Sequence, residues 1–77
     1  MDIHRWMNPI KHTRCEVFGI TQEEMAKICR VRQATISRWE AGIGEPSLRH
    51  VRLIRAEARR RRLRWDDRVF LAEERAA

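Results

Sequence analysis

Apolar residues along this chain return every three or four positions, the spacing of helices with one buried face, and no stretch alternates as a strand would. Asn8 followed by Pro9 predicts a helix start, with Asn as the cap and Pro at the first position, where its missing amide costs nothing. That helix runs to about Phe18 and stops at Gly19, and Ile10, Val17 and Phe18 supply its apolar members. Thr21 with Glu24 three positions on predicts a capping box, and Ile20 before the cap can staple against Met25. Met25, Cys29 and part of Ile28 then share one face, opposite Gln22, Glu23 and Lys27. A third helix begins after Val31, buries Ile36 and Trp39 with Thr35 nearby, and closes at Gly42. Gly42 to Pro46 is a loop, and Ser47 caps a fourth helix. Its stripe of Leu48, Val51, Ile54 and Ala58 is expected to complete the core, and its end falls at Leu63 to Trp65. Asp66 and Asp67 read as the cap of a last helix from Arg68 to about Glu74. The fold class is therefore all-α, a small bundle of about five helices.

The stretch from Thr21 to Gly42, TQEEMAKICRVRQATISRWEAG, has a chemistry of its own. Opposite Ile36 and Trp39, the third helix carries Arg32, Gln33, Ala34, Ser37 and Arg38. These long hydrogen-bonding or small side chains are the types that read base edges in a major groove. Gln33 can bond adenine twice through its amide, and Arg32 or Arg38 can bond both acceptors of guanine. Ala34 and Ser37 permit close approach, and Ala34 can meet a thymine methyl.

The same stretch, extended through Glu45-Pro46-Ser47-Leu48, resembles the helix-turn-helix of the phage-repressor-type family, the Cro-like or xenobiotic-response-element-type regulators. The resemblance implies a lambda-repressor-like domain whose recognition helix, about residues 32–41, lies in the major groove of duplex DNA. It places Gln22 at a position that bonds a backbone phosphate and sets the loop after Gly42 beside the DNA backbone. It also pairs Glu40 with a basic residue of the first helix, for which Arg14 is a candidate. Thr35, Arg49 and Arg52 are further phosphate candidates, and Met25, Ala26, Val31, Ile36 and Trp39 are the supporting core. Two positions depart from the family pattern. Arg30 stands where a turn glycine is usual and Arg32 where a Ser or Thr caps the second helix, each at a cost of about 1 kcal/mol. The angle between the two helices is where a difference from relatives is expected.

Composition sharpens the partner. The 77 residues carry a formal net charge of +6 with a pI near 10.9, and the basic excess is almost all arginine, which suits phosphate and guanine. Arg52, Arg55, Arg59 and Arg62 form a second stripe on the fourth helix; Arg49, Arg60, Arg61 and Arg64 add to it and Glu57 offsets it. That run suits phosphate contact and salt bridges to an acidic partner equally, with Arg49 and Arg52 nearest the motif. A chain this short holds one marginal core, which dimerisation would support. The divisions are an N-terminal arm over 1–8, the DNA-binding domain over 9–62 and a C-terminal helical segment over 63–77. In that last segment Trp65, Val69 and Phe70 either fold back on the core or meet a second copy, and for so small a domain a contribution to dimerisation is the expected role.

Other classes fit less well. Cys15 and Cys29 occupy apolar helical positions and read as reduced core residues, and no spacing with His4, His12 or His50 resembles a zinc site. No metal or other cofactor is implied, and no catalytic set is available, so an enzyme is not expected. With no signal-like or membrane-spanning run, the expected location is the cytoplasm of a bacterial or phage-infected cell, at the nucleoid. The expected function is that of a sequence-specific transcriptional regulator, a repressor of phage, plasmid or autoregulatory type acting as a homodimer on a palindromic operator. The alternative is an antitoxin-like module that holds a toxin and binds its own promoter. RNA binding would suit the arginines but leave the reading face unused.

Overall fold

The computed structural model describes residues 8–68 and 70. Helix α1 (Pro9–His12) runs directly into a π-helical segment (Thr13–Phe18), followed by α2 (Gln22–Cys29), α3 (Gln33–Glu40) and α4 (Leu48–Arg60). No strand occurs among the described residues, and the fold is the all-α helix-turn-helix arrangement that the spacing predicts. Arg68 and Phe70 begin a further helical turn, but its continuation to Glu74, residues 1–7 of the expected 1–8 arm, and Val69 lie outside the described residues, while Asn8 belongs to α1 as its cap.

Each helix starts where its capping residue allows. Asn8 is extended, and its Oδ1 accepts the Lys11 N–H at 3.0 Å. At α2 both halves of the capping box are made: the Glu24 N–H donates to Thr21 Oγ1 at 3.1 Å and the Thr21 N–H donates to Glu24 Oε1 at 3.0 Å. The Thr21 N–H and the Thr21 hydroxyl, both donating to Glu24 Oε1, hold the Glu24 carboxyl below its ordinary range. At α4 the third residue is His50 rather than Glu or Gln, and its Nδ1 accepts the Ser47 N–H at 3.1 Å.

Ile10, Met25, Ala26, Cys29, Ile36, Trp39 and Ile54 form one buried cluster. Val31, Ile20, Ile28 and Phe18 pack on its edge, and Val31 is half-buried. Both cysteines are free. Cys29 is buried, which pushes its thiol up to about 12, whereas Cys15 is only half-buried rather than a core residue. The π-helical segment changes one more position. Its wider turn closes on Gly19, which takes the left-handed conformation and donates to the Arg14 carbonyl. Thr13 is thereby fully buried, with its Oγ1 lacking a hydrogen-bond partner.

Two expectations for α4 are corrected. Leu48 is 63% exposed, not part of the core stripe. Six residues before Ile54, it points about 120° away from it, because two successive steps of three drift off a 3.6-residue period. The helix also ends at Arg60, ahead of Leu63 to Trp65. Arg62 turns left-handed at φ 59°, the Arg62 N–H bonds the Arg59 carbonyl at 3.0 Å, and the Leu63 N–H bonds the Ala58 carbonyl at 2.8 Å. This paired termination usually uses glycine. Beyond it, Trp65 and Phe70 stack at 5.8 Å and fold back on the core, one of the two arrangements open to them. Asp66 Oδ1 accepts the Arg68 N–H at 2.9 Å, as a cap should.

Candidate nucleic-acid interface

The joint between α2 and α3 depends on Arg30. It adopts φ 60° and ψ 43°, the Arg30 N–H bonds the Lys27 carbonyl at 3.3 Å, and the Val31 N–H bonds the Ala26 carbonyl at 3.0 Å. Both hydrogen bonds of a glycine-type termination are made, and the arginine backbone bears the strain. Arg32 has the extended backbone of a cap residue but no side-chain acceptor, so its carbonyl alone serves the new helix, at 2.9 Å from the Thr35 nitrogen.

On α3 the 100° step per residue separates two faces. Ile36 and Trp39 are buried, whereas Arg32, Gln33, Ala34, Ser37 and Arg38 are all exposed, as a reading face requires. Thr35 is half-buried at the edge between the two.

The first helix fixes the far end of α3 through two neighbouring residues. Asn8, already the cap of α1, donates its side-chain amide to the Trp39 carbonyl. Arg14 grips Glu40 with both edges of its guanidinium, Nε to Oε2 at 2.6 Å and Nη2 to Oε1 at 3.0 Å, and its Nη1 donates to the Ile20 carbonyl at 3.0 Å. The Glu40 side chain is 6% exposed. Burial alone would raise its carboxyl, but hydrogen bonds from Arg14 and Gln22, with the charges of Arg14 and Lys11, bring it below the ordinary range. The same hydrogen bond raises Arg14. Arg14 is therefore the partner expected for Glu40.

From Glu40 the chain of bonds continues to the exposed surface. Gln22 Nε2 donates to Glu40 Oε1 at 3.1 Å, and Gln33 Nε2 donates to Gln22 Oε1 at 3.4 Å. A residue expected at phosphate and one expected at a base thus touch. On the other side of Trp39, the His50 ring lies 5.0 Å away and tilted by 55°.

Among the arginines of α4, some are neutralised within the chain. Glu57 takes Arg60 and Arg61, and their hydrogen bonds pull its carboxyl down to about 2. Arg61 also stands 5.4 Å over the Phe18 ring, and Arg55 faces Asp67 at 3.7 Å. Arg49 and Arg52 are exposed, and no described carboxylate pairs with either. Among the described residues there is no His, Cys, Asp and Glu group that could hold a metal, and no helix long and apolar enough to cross a membrane.

Three contributors were not evident from sequence spacing: the second bond of Asn8, the burial of Thr13, and His50 as both cap partner and neighbour of Trp39. Asn8 and His50 have local signals only for their roles at helix starts; their contacts with α3 depend on tertiary packing.

Comparison with curated proteins and with solved structures gives no match. A family model described as helix-turn-helix matches residues 15–56, which takes in most of the π-helical segment, all of α2 and α3, and most of α4. With a capped α2, a left-handed turn, and an α3 that buries Ile36 and Trp39 while exposing its polar face, the chain belongs to the helix-turn-helix family of Cro-like, xenobiotic-response-element-type DNA-binding regulators.

Proposed function

We propose that this chain is a sequence-specific repressor of phage, plasmid or autoregulatory type, which binds a palindromic duplex operator as a homodimer. The observation that carries the reading is the line of hydrogen bonds from Arg14 through Glu40 and Gln22 to Gln33. It begins beside the core and ends on the exposed face of α3, so a largely buried ion pair orients a side chain of the reading surface.

The chemistry follows from the donors and acceptors left over. Gln22, the first residue of α2, stands where helix amides and the positive end of the helix dipole favour a phosphate. With Gln22 Oε1 turned to Gln33, one Gln33 N–H is occupied, and its other N–H and its Oε1 remain to match adenine N7 and N6. Arg32 and Arg38 address guanine, while Ala34 and Ser37 let the helix approach closely. Thr35 and Arg49 add backbone contacts, which set register without reading sequence. Two copies present their α3 helices about 34 Å apart, one turn of duplex. The DNA target puts the protein in the cytoplasm at the nucleoid.

Selection of bound sites from random duplex DNA tests this directly. A palindrome with adenine at a fixed position in each half, abolished at that position by Gln33→Ala, is the expected result. No enrichment of any sequence would overturn the reading.

A further inference from the structure

Within α4, the exposed residues after Leu48 are Arg49, Arg52, Ala56, Arg59 and Arg60. At 100° per residue all five fall in one sector, opposite buried Ile54 and Ala58. Arg60 reaches sideways to Glu57, but Arg49, Arg52 and Arg59 have no carboxylate partner among the described residues. Ala56 lies between them as the smallest side chain on the face. Helix α4 packs mainly on α2, and its Ile54 joins the same cluster as Ile36 of α3. The two helices thus turn their outer faces away from one core in different directions, and this face is separate from the reading face.

We infer that the outer face of α4 is a second, sequence-independent binding surface for the phosphate backbone of duplex DNA. The inference rests on the reading of the chain as a duplex-DNA binder. Carboxylates and phosphates both suit arginine, so composition of the face decides between them. Protein interfaces are centred on apolar or aromatic anchors with charge depleted at the middle, whereas DNA interfaces are polar and strongly positive. Here the middle is Ala56 among arginines, and the one large exposed apolar residue of the helix, Leu48, lies at its end beyond the stripe. From Arg49 to Arg59 the helix rises about 15 Å, over which each DNA strand presents about four phosphates. The phosphates belong either to the duplex that α3 reads or to a second duplex.

Two measurements on the full chain separate these sources, both on 40-base-pair duplexes of random sequence, so that neither depends on base reading. With duplex in excess, the slope of log affinity against log salt is expected to fall in magnitude by about 2 for each bound copy in Arg52→Gln/Arg59→Gln if the same duplex is gripped. With protein in excess, the unchanged chain is expected to bring two differently labelled duplexes together, and the double variant is not, if a second duplex is gripped. Either result supports the inference. Arg52→Lys/Arg59→Lys should retain the wild-type behaviour, and Arg61→Gln/Arg68→Gln, which removes two cations that already have carboxylate partners and lie off this face, should retain the slope. Far-UV circular dichroism checks that each variant is folded. A Gln pair that matches wild type in both measurements would overturn the inference and leave an acidic protein as the fit for this face. Equal slope losses in the Arg61/Arg68 pair would overturn it too, because net charge alone would then explain the effect. Failure of operator selection with retained slope and bridging behaviour would remove base reading and leave this surface standing.

Discussion

Gln22 and Glu40, eighteen residues apart, are joined by a hydrogen bond of 3.1 Å that links the first residue of α2 to the last of α3. Because the same Glu40 oxygen also accepts from Arg14 Nη2, the amide of Gln22 has one favoured orientation, nitrogen inward and oxygen toward Gln33. A helix-turn-helix whose two helices meet only through apolar contacts would leave that choice open.

Glu40→Ala should cost about 3 kcal/mol of stability, because it strands a guanidinium whose side chain is only 17% exposed. Arg14→Ala should cost a similar amount, and the double variant clearly less than the sum of the two. Urea unfolding of the four proteins measures this coupling; additive losses would show that the pair does not act as a unit.

The same carboxylates set the response to acid. Glu40 and Glu24 lie below their ordinary range when folded, and Glu57 falls to about 2. A carboxyl with a depressed folded value contributes stability above its unfolded value, and that contribution disappears as pH falls through the folded value. Stability from these groups should therefore be level above about pH 5 and decline from about pH 4.5 down to about 2. Glu57→Gln should start less stable at pH 7 and show a shallower decline toward pH 2. Urea midpoints across this window check the sign; an unchanged slope would remove Glu57 from the account.

Arg30 and Arg62 both hold left-handed backbone at positions that favour glycine. Arg30→Gly should stabilise the fold by about 1 kcal/mol, since relief of the left-handed strain exceeds the entropy that glycine loses. Arg62→Gly should behave likewise at the end of α4. Thermal unfolding measures both, and a loss of stability in either would mean that the arginine side chain compensates for the strain.

These two arginines also show where sequence reading succeeds and stops. At Arg30 the family pattern marks a glycine site, so the departure is visible from residue identity alone. At Arg62 nothing marks the turn, because arginine is a good helix former in a run of arginines, and the helix therefore reads as longer than it is. Caps at Asn8, Thr21 and Ser47 were legible because each acts within four residues. The Arg14–Glu40 pair was legible only as a candidate, through the family pattern. The Gln22–Gln33 contact and the bond from Asn8 to Trp39 depend on how helices sit against one another, which periodicity does not encode, whereas the exposure of Leu48 follows from the helical period itself.

Thr13 offers a test of the π-helical segment. Its buried Oγ1 has no partner, so Thr13→Val, which keeps the shape and removes the hydroxyl, should stabilise by about 1 kcal/mol. Thr13→Ala, which removes volume as well, should destabilise by leaving a void in a packed core. Chemical denaturation separates the two; destabilisation by valine as large as that by alanine would indicate that the hydroxyl is bonded after all.

The last prediction separates phosphate from base at the two glutamines that touch. Gln22→Ala removes a group suited to a backbone contact and, with it, the acceptor that orients Gln33. It should weaken binding to every sequence and also reduce discrimination at the base that Gln33 reads, because an unheld amide samples several orientations. Gln33→Ala leaves Gln22 on Glu40, so it should erase discrimination at that base pair alone, worth about 1–3 kcal/mol, with little change on unrelated duplex. Competition binding with the selected site and with a version changed at the single adenine measures both effects. If Gln22→Ala weakens all sequences equally and leaves discrimination intact, the hydrogen bond between the two side chains carries no positional information, and the buried ion pair acts on stability alone.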